Sequence, residues 1–334
     1  MMDTVERLRA RDAVRRAIRR YFEREEFLEV EPPTLVPAPG MEPHITALSL
    51  DVDDGRGPPR RRYLHTSPEF AMKRLLSEGA LRIYALPRVF RAGEHGPNHR
   101  VEFTMLEWYR AREDYEALMR DCEGFISAAA QILGRMHLGP LDLTPPYERL
   151  TLAEAFQRYA GVDLLRYLDP VDGRGLQQAA ARAGISVVSP PDEDPEDLFE
   201  RAFYEVMLAR VEPAIGQTRP TFLYEWPAPL AALSRLSPKD PRVAERVELY
   251  AGGLELGNGF GELTDADEQE RRFRAEQERR RRLGKPVYPI DPLFLRALRT
   301  MPPATGMAVG LDRVLLLLTG SRDLAEVLIL ERDD

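Results

Sequence analysis

The stretch Glu102-Phe103-Thr104-Met105-Leu106-Glu107-Trp108-Tyr109 decides the fold. It is a strand pattern, preceded by a second one from Ile83 to Phe90 and separated from it by the loop Ala92 to Val101, which carries Gly93, Gly96 and Pro97. The two make a long-looped antiparallel hairpin. Side chains alternate across a sheet, so Phe103, Met105, Glu107 and Tyr109 share one face: an aromatic plate, a carboxylate and a phenol in a row. A buried carboxylate is costly unless paired, so Glu107 requires either a structural Arg or Lys partner or a cationic ligand. The sequence leaves both open.

Outward from this hairpin, Val5, Leu8, Val14, Ile18 and Phe22 recur at helical spacing, so residues 4–25 read as an amphipathic helix whose arginines form a solvated face. Glu31-Pro32-Pro33 through Pro43 forces extended chain, and Asp51 to Arg62 is punctuated like a surface loop, with no fold element expected there. Three or four helical stretches fill residues 113–211, broken at Pro145-Pro146 and Pro190-Pro191. Strand signals return at 221–226, 243–250 and 253–260, and the C-terminal third ends strand, glycine, helix. No internal repeat and no regular βαβ alternation is present. The expectation is an α+β architecture, an antiparallel sheet flanked by helices, with residues 1–334 as a single domain carrying a helical insertion at about 113–211.

A second chemical segment is Glu245-Arg-Val-Glu248-Leu-Tyr-Ala-Gly252-Gly253-Leu-Glu255-Leu-Gly-Asn258-Gly-Phe260-Gly-Glu262. Gly-Gly is a two-residue hairpin signal; with the turn there, residue 250 pairs with 255 and Glu248 lies diagonally beside Glu255. Diagonal neighbours are about 7 Å apart, close enough to share a cation, and an oxygen-only set suits Mg²⁺ rather than zinc. A solvated edge strand would display the same glutamates. A third segment, Gly306-Met-Ala308-Val-Gly310-Leu-Asp312-Arg313, runs from strand through glycine into a helix, placing a cation where a phosphate could approach; alone, this glycine pattern is as often a packing device. His95 and His99 are four apart, but Gly96-Pro97 spoils their helical presentation.

The bulk properties narrow the function classes. The 334 residues are 43% hydrophobic and 31% charged, with a net charge of −8, which opposes general nucleic-acid binding. The single cysteine, Cys122, lies in the helical stretch Tyr115 to Leu133, where a buried thiol is expected rather than a nucleophile. Met1-Met2-Asp3-Thr4 opens no apolar leader and no run is long enough to span a membrane, so a cytoplasmic protein is expected.

In order along the chain, Phe27-Leu-Glu-Val-Glu-Pro-Pro33, then Phe90-Arg91 through Phe103-Thr-Met-Leu-Glu107, then Gly306 to Arg313 resemble the three signatures of class II aminoacyl-tRNA synthetases. Leu64-His-Thr-Ser-Pro-Glu69-Phe-Ala-Met-Lys-Arg-Leu and Glu255-Leu-Gly-Asn-Gly-Phe-Gly-Glu262-Leu narrow the resemblance to the lysine enzymes, over nearly the whole chain. About two dozen residues precede the first signature, too few for the anticodon-binding OB barrel of lysyl-tRNA synthetases. In this the chain is similar to their stand-alone paralogues, which attach (R)-β-lysine to a lysine of elongation factor P, and whose strand Phe-Thr-Met-Leu-Glu-Trp-Tyr-Arg it matches at Phe103 to Arg110.

The resemblance implies a set of roles. Arg91 and Arg313 would face the ATP phosphates, Phe103 would stack the adenine with His99 beside the triphosphate, and Glu248 and Glu255 would hold Mg²⁺. Glu107, Tyr109 and Glu262 would clasp the ε-ammonium of lysine or (R)-β-lysine, Glu69 would receive its other amino group, and Asn258 and Phe260 would line the pocket. Ala308 stands where lysyl-tRNA synthetases usually have glycine, and its methyl would crowd an α-amino group while suiting a β-placed one. The second signature usually reads Arg-x-Glu; here position 93 is glycine and the carboxylate follows at Glu94, which a loop could absorb. Arg100, where the lysine enzymes tend to have asparagine, has no counterpart in this reading. A homodimer through the first signature is implied as well. Elongation factor P would be the acceptor, with tRNA not expected; a truncated lysyl-tRNA synthetase and a catalytically silent amino-acid-binding paralogue are the alternatives.

Overall fold

A computed structural model describes residues 3–328, apart from 43, 54, 56, 191 and 192. Pro43, at the end of the expected extended segment, and Pro191, in the expected Pro190-Pro191 break, therefore lie outside the described residues, as do Met1 and Met2. The principal sheet runs, from edge to edge, through the strands Leu28–Glu29, Arg82–Ala85, Glu102–Ala111, Ala304–Gly310, Leu254–Gly261, Val243–Ala251, Thr221–Pro227 and Glu148–Thr151. Its centre is antiparallel and only the two outermost pairings are parallel. Both 82–85 and 88–90 pair antiparallel with 102–111, so the expected first strand is two short ones divided at Leu86-Pro87.

One face of this sheet is apolar. Leu106 and Trp108, Met307 and Val309, and Val247 and Leu249 pack there against Val14, Ile18 and Phe22 of the helix Thr4–Arg24 and Cys122, Phe125 and Ile126 of the helix Glu116–Leu133. Burial raises the Cys122 thiol well above its ordinary range, as its packing role predicts. Beneath the same layer, Asp121 accepts from Tyr21, Trp108 and Arg110, so a carboxylate buried in this face is fully satisfied. A second cluster joins the outer strands to the helices Leu152–Ala160, Gly173–Arg182 and Pro195–Val206.

Two expectations are corrected. No fold element is expected over 51–62, yet Ser49–Val52 and Arg60–Leu64 form a three-stranded antiparallel sheet with Leu35–Val36 of the extended segment. Its alternation is hidden because the strands are short and only Tyr63, with Val36 against it, is packed into the core; the register pairs Asp51 with Arg61, whose side chains also form an ion pair. The N-terminal arginines are not all solvated: Arg11 bridges Asp312 at 2.6 Å and Thr104 Oγ1 at 2.8 Å, and Arg7 donates to the Glu326 carbonyl. The first helix is thereby tied to the helix Leu311–Thr319 that carries Arg313.

Candidate active site

The open face of the sheet gathers the expected residues through register alone. Glu107 is opposite Ala308, Ala308 opposite Asn258, and Asn258 opposite Glu248, a row across four strands and about 14 Å long. The adjacent row is Tyr109, Gly306, Phe260 and Arg246. A bulge between Leu249 and Tyr250 is needed for this: Tyr250 pairs with Glu255 as expected from the Gly252-Gly253 turn, and the extra residue then shifts Glu248 onto Asn258. Both turn glycines have positive φ, 61° and 77°, the requirement of a type I′ hairpin turn.

At one end of the rows lies an acidic, enclosed pocket. Glu107 is 2% exposed and accepts from Ser67 Oγ and Tyr109 Oη, both at 2.7 Å. Burial, and then the neighbouring Glu69, push its carboxyl up to about 8. Glu262, equally buried, is raised by burial too, although Lys73 opposes this. Lys73 is the residue the sequence reading missed. Its ammonium contacts Glu69 one helical turn earlier and Glu262 Oε2 at 2.6 Å, and it is itself raised by these carboxylates despite complete burial. The i,i+4 spacing of Glu69 and Lys73 at the start of the helix Glu69–Ser77 was the available signal. Gly306 admits the pocket's close packing: a Cβ there would lie 2.2 Å from the Tyr109 ring and 2.7 Å from Glu262 Oε1.

At the other end, Arg313 reaches back from its helix to the hairpin. Its Nη1 donates to the Glu255 carbonyl at 2.8 Å, its Nε to the Asn98 carbonyl at 3.3 Å, and its Nη2 meets His99 Nε2 at 2.8 Å. Burial, then the Arg313 charge, hold the His99 imidazole below its ordinary range, so Nε2 accepts and Nδ1 carries the proton. Glu248 is buried, bonded to Arg246 and Tyr250 at 2.7 Å, and raised to about 7 by burial, with Arg246 opposing and Glu255 adding to the rise. Asn258 Oδ1, between Glu248 and Ala308, is buried without a hydrogen-bond partner. Among the described residues no group of three or more His, Cys, Asp or Glu side chains could hold a metal ion. Two carboxylates in mutual repulsion fit a divalent cation that takes its remaining oxygens from phosphate and water.

Farther along the strand that carries Glu107 is Phe103, with Arg91 against it. The Arg91 guanidinium lies 5.2 Å over the Phe103 ring, and Glu94 Oε1 is 3.8 Å from Arg91 Nη1. Gly93 has φ of 80°, so the loop turns there and returns Glu94 toward Arg91, a displacement that a strand could not have absorbed. Arg100 donates to the Gly96 and His99 carbonyls and binds Asp323 at 2.7 Å; with the Leu324 N–H donating to the Pro97 carbonyl, it clamps this loop to the C-terminal turn.

Comparison with known proteins accords with this geometry. Residues 2–333 match the family model of tRNA synthetases class II (D, K and N). This chain belongs to the class II tRNA synthetase family. Within it, the chain is 38% identical over 327 residues to the elongation factor P–(R)-β-lysine ligase of Enterobacter sp. (strain 638) and 39% identical over 327 residues to that of Salmonella arizonae. Each alignment covers 97% of this chain and 94% of the relative. Membership in the class II family makes the protein a ligase of the synthetase type, and the antiparallel sheet flanked by helices is its α+β fold. No helix among the described residues is long and apolar enough to cross a membrane.

Proposed function

We propose that this class II protein activates (R)-β-lysine, or lysine, with ATP and transfers the acyl group to a lysine side chain of elongation factor P. The observation that carries this reading is the charge balance of the enclosed pocket. Glu69 and Glu262 hold one ammonium, Lys73, and Glu107 stands in the same pocket bonded to Ser67, so that three carboxyls against one cation leave room for the two ammonium groups of a diamino acid. An arriving ammonium would hold Glu107 ionised, and a pocket for an acidic amino acid would need cations where these carboxylates stand.

In the first half-reaction a substrate carboxylate oxygen attacks the α-phosphorus of ATP and pyrophosphate leaves. Arg91 and Arg313 meet the charge that develops on the phosphate oxygens, Phe103 stacks the adenine, and His99 and Glu94 border the triphosphate. Glu248 and Glu255 would hold Mg²⁺, which when bound neutralises phosphate charge. Tyr109, Asn258, Phe260 and Ala308 shape the amino-acid side of the row, with Glu69 at the inner amino group. In the second half-reaction the acceptor amine, having lost a proton, attacks the adenylate carbonyl and AMP leaves, so an amide forms.

The chain acts as one catalytic domain with its helical insertion within about 113–211, in the cytoplasm, and as a homodimer. Exposed Val5, Leu8, Leu28 and Leu35, on or just after the first helix, support a covering second copy. The net charge of −8 supports a protein rather than a tRNA acceptor. ATP–pyrophosphate exchange with α-lysine, (R)-β-lysine and a panel of other amino acids, followed by acceptor assays with elongation factor P and tRNA, tests the reading. Exchange with (R)-β-lysine and label on the protein is expected. Label on tRNA would favour a truncated lysyl-tRNA synthetase, and no exchange with any amino acid a silent paralogue.

A further inference from the structure

Beside Glu69 the structure holds a cavity of about 20 Å³, enough for one water molecule or one ammonium head. Most of its wall is apolar, from Pro33, Val36, Pro39 and Phe70; Glu42, His65, Ser67 and Glu69 supply the polar side chains. Two buried atoms of its lining residues, Glu42 Oε2 and His65 Nδ1, have no hydrogen-bond partner, and neither has Thr66 Oγ1, on the neighbouring residue outside the lining. His65 and Thr66 are 2% and 1% exposed, so bulk water does not satisfy them. The Glu42 and Thr66 oxygens flank one face of Gly40, where an added Cβ would lie 2.3 Å from the first and 3.1 Å from the second.

All three atoms can accept a hydrogen bond, and only the Thr66 hydroxyl can also donate one. A carboxylate oxygen only accepts. His65 Nε2 is 2.7 Å from the Arg88 carbonyl, which cannot donate, so Nε2 carries the proton and Nδ1 is left as an acceptor. Burial lowers the His65 imidazole, consistent with that neutral tautomer. Thr66 Oγ1 can accept as well. Three acceptors, one of them a carboxyl oxygen, beside room for a single small head are complementary to the three N–H bonds of a primary ammonium. A guanidinium does not fit, and an anion is repelled. Nor is Glu42 displaced by chance: Arg280, fully buried and stacked on Tyr288, donates to the carbonyls of Glu42 at 2.7 Å and Ile45 at 3.1 Å, and so pins the backbone that presents it. The charged groups acting on Glu42 are Glu69, which raises its carboxyl together with burial, and Arg91 and Arg280, which oppose the rise.

We infer that Glu42, His65 and Thr66 form a binding position for the inner amino group of the diamino-acid substrate, the one nearer the reacting carboxylate, in addition to Glu69. The inference rests on the function proposed above. Its place fits: Glu42 lies in the fields of both Glu69, assigned to that amino group, and Arg91, assigned to the phosphate end. A buried carboxyl oxygen without a partner is a standing cost that a cationic ligand removes.

The test compares a diamino acid with 6-aminohexanoate, which keeps the carboxylate and the terminal ammonium and lacks the inner one. Glu42→Gln is expected to raise KM for the diamino acid in pyrophosphate exchange by about tenfold or more, leaving KM for ATP unchanged. The inhibition constant of 6-aminohexanoate should move by less than about twofold, because the lost contact is absent from that ligand. Thr66→Val should repeat the pattern more weakly, and Glu42→Asp should recover part of the affinity. Equal weakening of both ligands, or no change in either, overturns the inference while wild-type exchange stands. Failure of wild-type exchange with every diamino acid would instead overturn the proposed function.

Discussion

Lys73 Nζ lies 2.6 Å from Glu262 Oε2, and neither side chain reaches solvent. Because Glu69 holds the same ammonium from the preceding turn, one cation serves two buried carboxylates. Removing it strands both. Lys73→Met is expected to destabilise the protein by about 3–5 kcal/mol near pH 8. The loss should shrink toward pH 5, where the Glu262 carboxyl, already raised by burial, takes up a proton instead. Denaturant unfolding at the two pH values measures this, and an equal loss at both would show that the lysine matters for packing rather than charge.

The carboxyl of Glu107 sits at about 8, raised from its ordinary 4.5 by burial and then by Glu69. The native state therefore keeps a proton that the unfolded chain gives up, and the stability from this group is present at low pH and lost as pH rises through about 8. The ligand-free melting temperature should fall between pH 5 and 9, and Glu107→Gln should flatten that part of the curve. Added lysine or (R)-β-lysine should restore the wild type at pH 9 and leave the variant unmoved. A wild-type curve that rises across this range would contradict the assignment.

Gly306 is where strand packing and pocket meet. Its missing side chain makes room for the Tyr109 ring, and that ring donates to Glu107 at 2.7 Å. Gly306→Ala must displace the ring, so KM for the amino acid should rise by about tenfold or more while KM for ATP changes little. Steady-state exchange kinetics separate the two constants; a change confined to ATP would place Gly306 at the nucleotide instead.

Much of this was legible because period-two alternation and the Gly252-Gly253 turn fix which side chains share a face. The 102–109 strand and the 243–261 hairpin needed no more than that. What the sequence hid has physical causes. The small sheet of 35–64 is masked because its strands are short and carry the charged run Arg60-Arg61-Arg62, and Lys73 because a lysine at helical spacing from a glutamate reads as an ordinary surface pair until its burial is known. The bulge at Leu249 and Tyr250, which sets Glu248 opposite Asn258, leaves no composition signal at all. The cavity at Glu42 is assembled from a strand end, two loop stretches and the start of the helix Glu69–Ser77, and no local pattern announces it.

Ala308 lies between Glu107 and Asn258 in the register row, its methyl pointing to the same face as both. Deleting that methyl opens space in the middle of the row without touching the carboxylates at either end. A diamino acid whose inner amino group sits one carbon closer to the carboxylate needs that space, whereas the β-isomer does not. Ala308→Gly should therefore raise kcat/KM for α-lysine relative to (R)-β-lysine by about tenfold, the usual worth of one methyl-sized change in a tight pocket. The strand pairing on both sides involves backbone alone, so stability should drop by no more than about 1 kcal/mol. Competition between the two isomers in pyrophosphate exchange gives the ratio directly. An unchanged ratio would remove Ala308 from specificity and move the discrimination to the acceptors around Glu42 and Glu69.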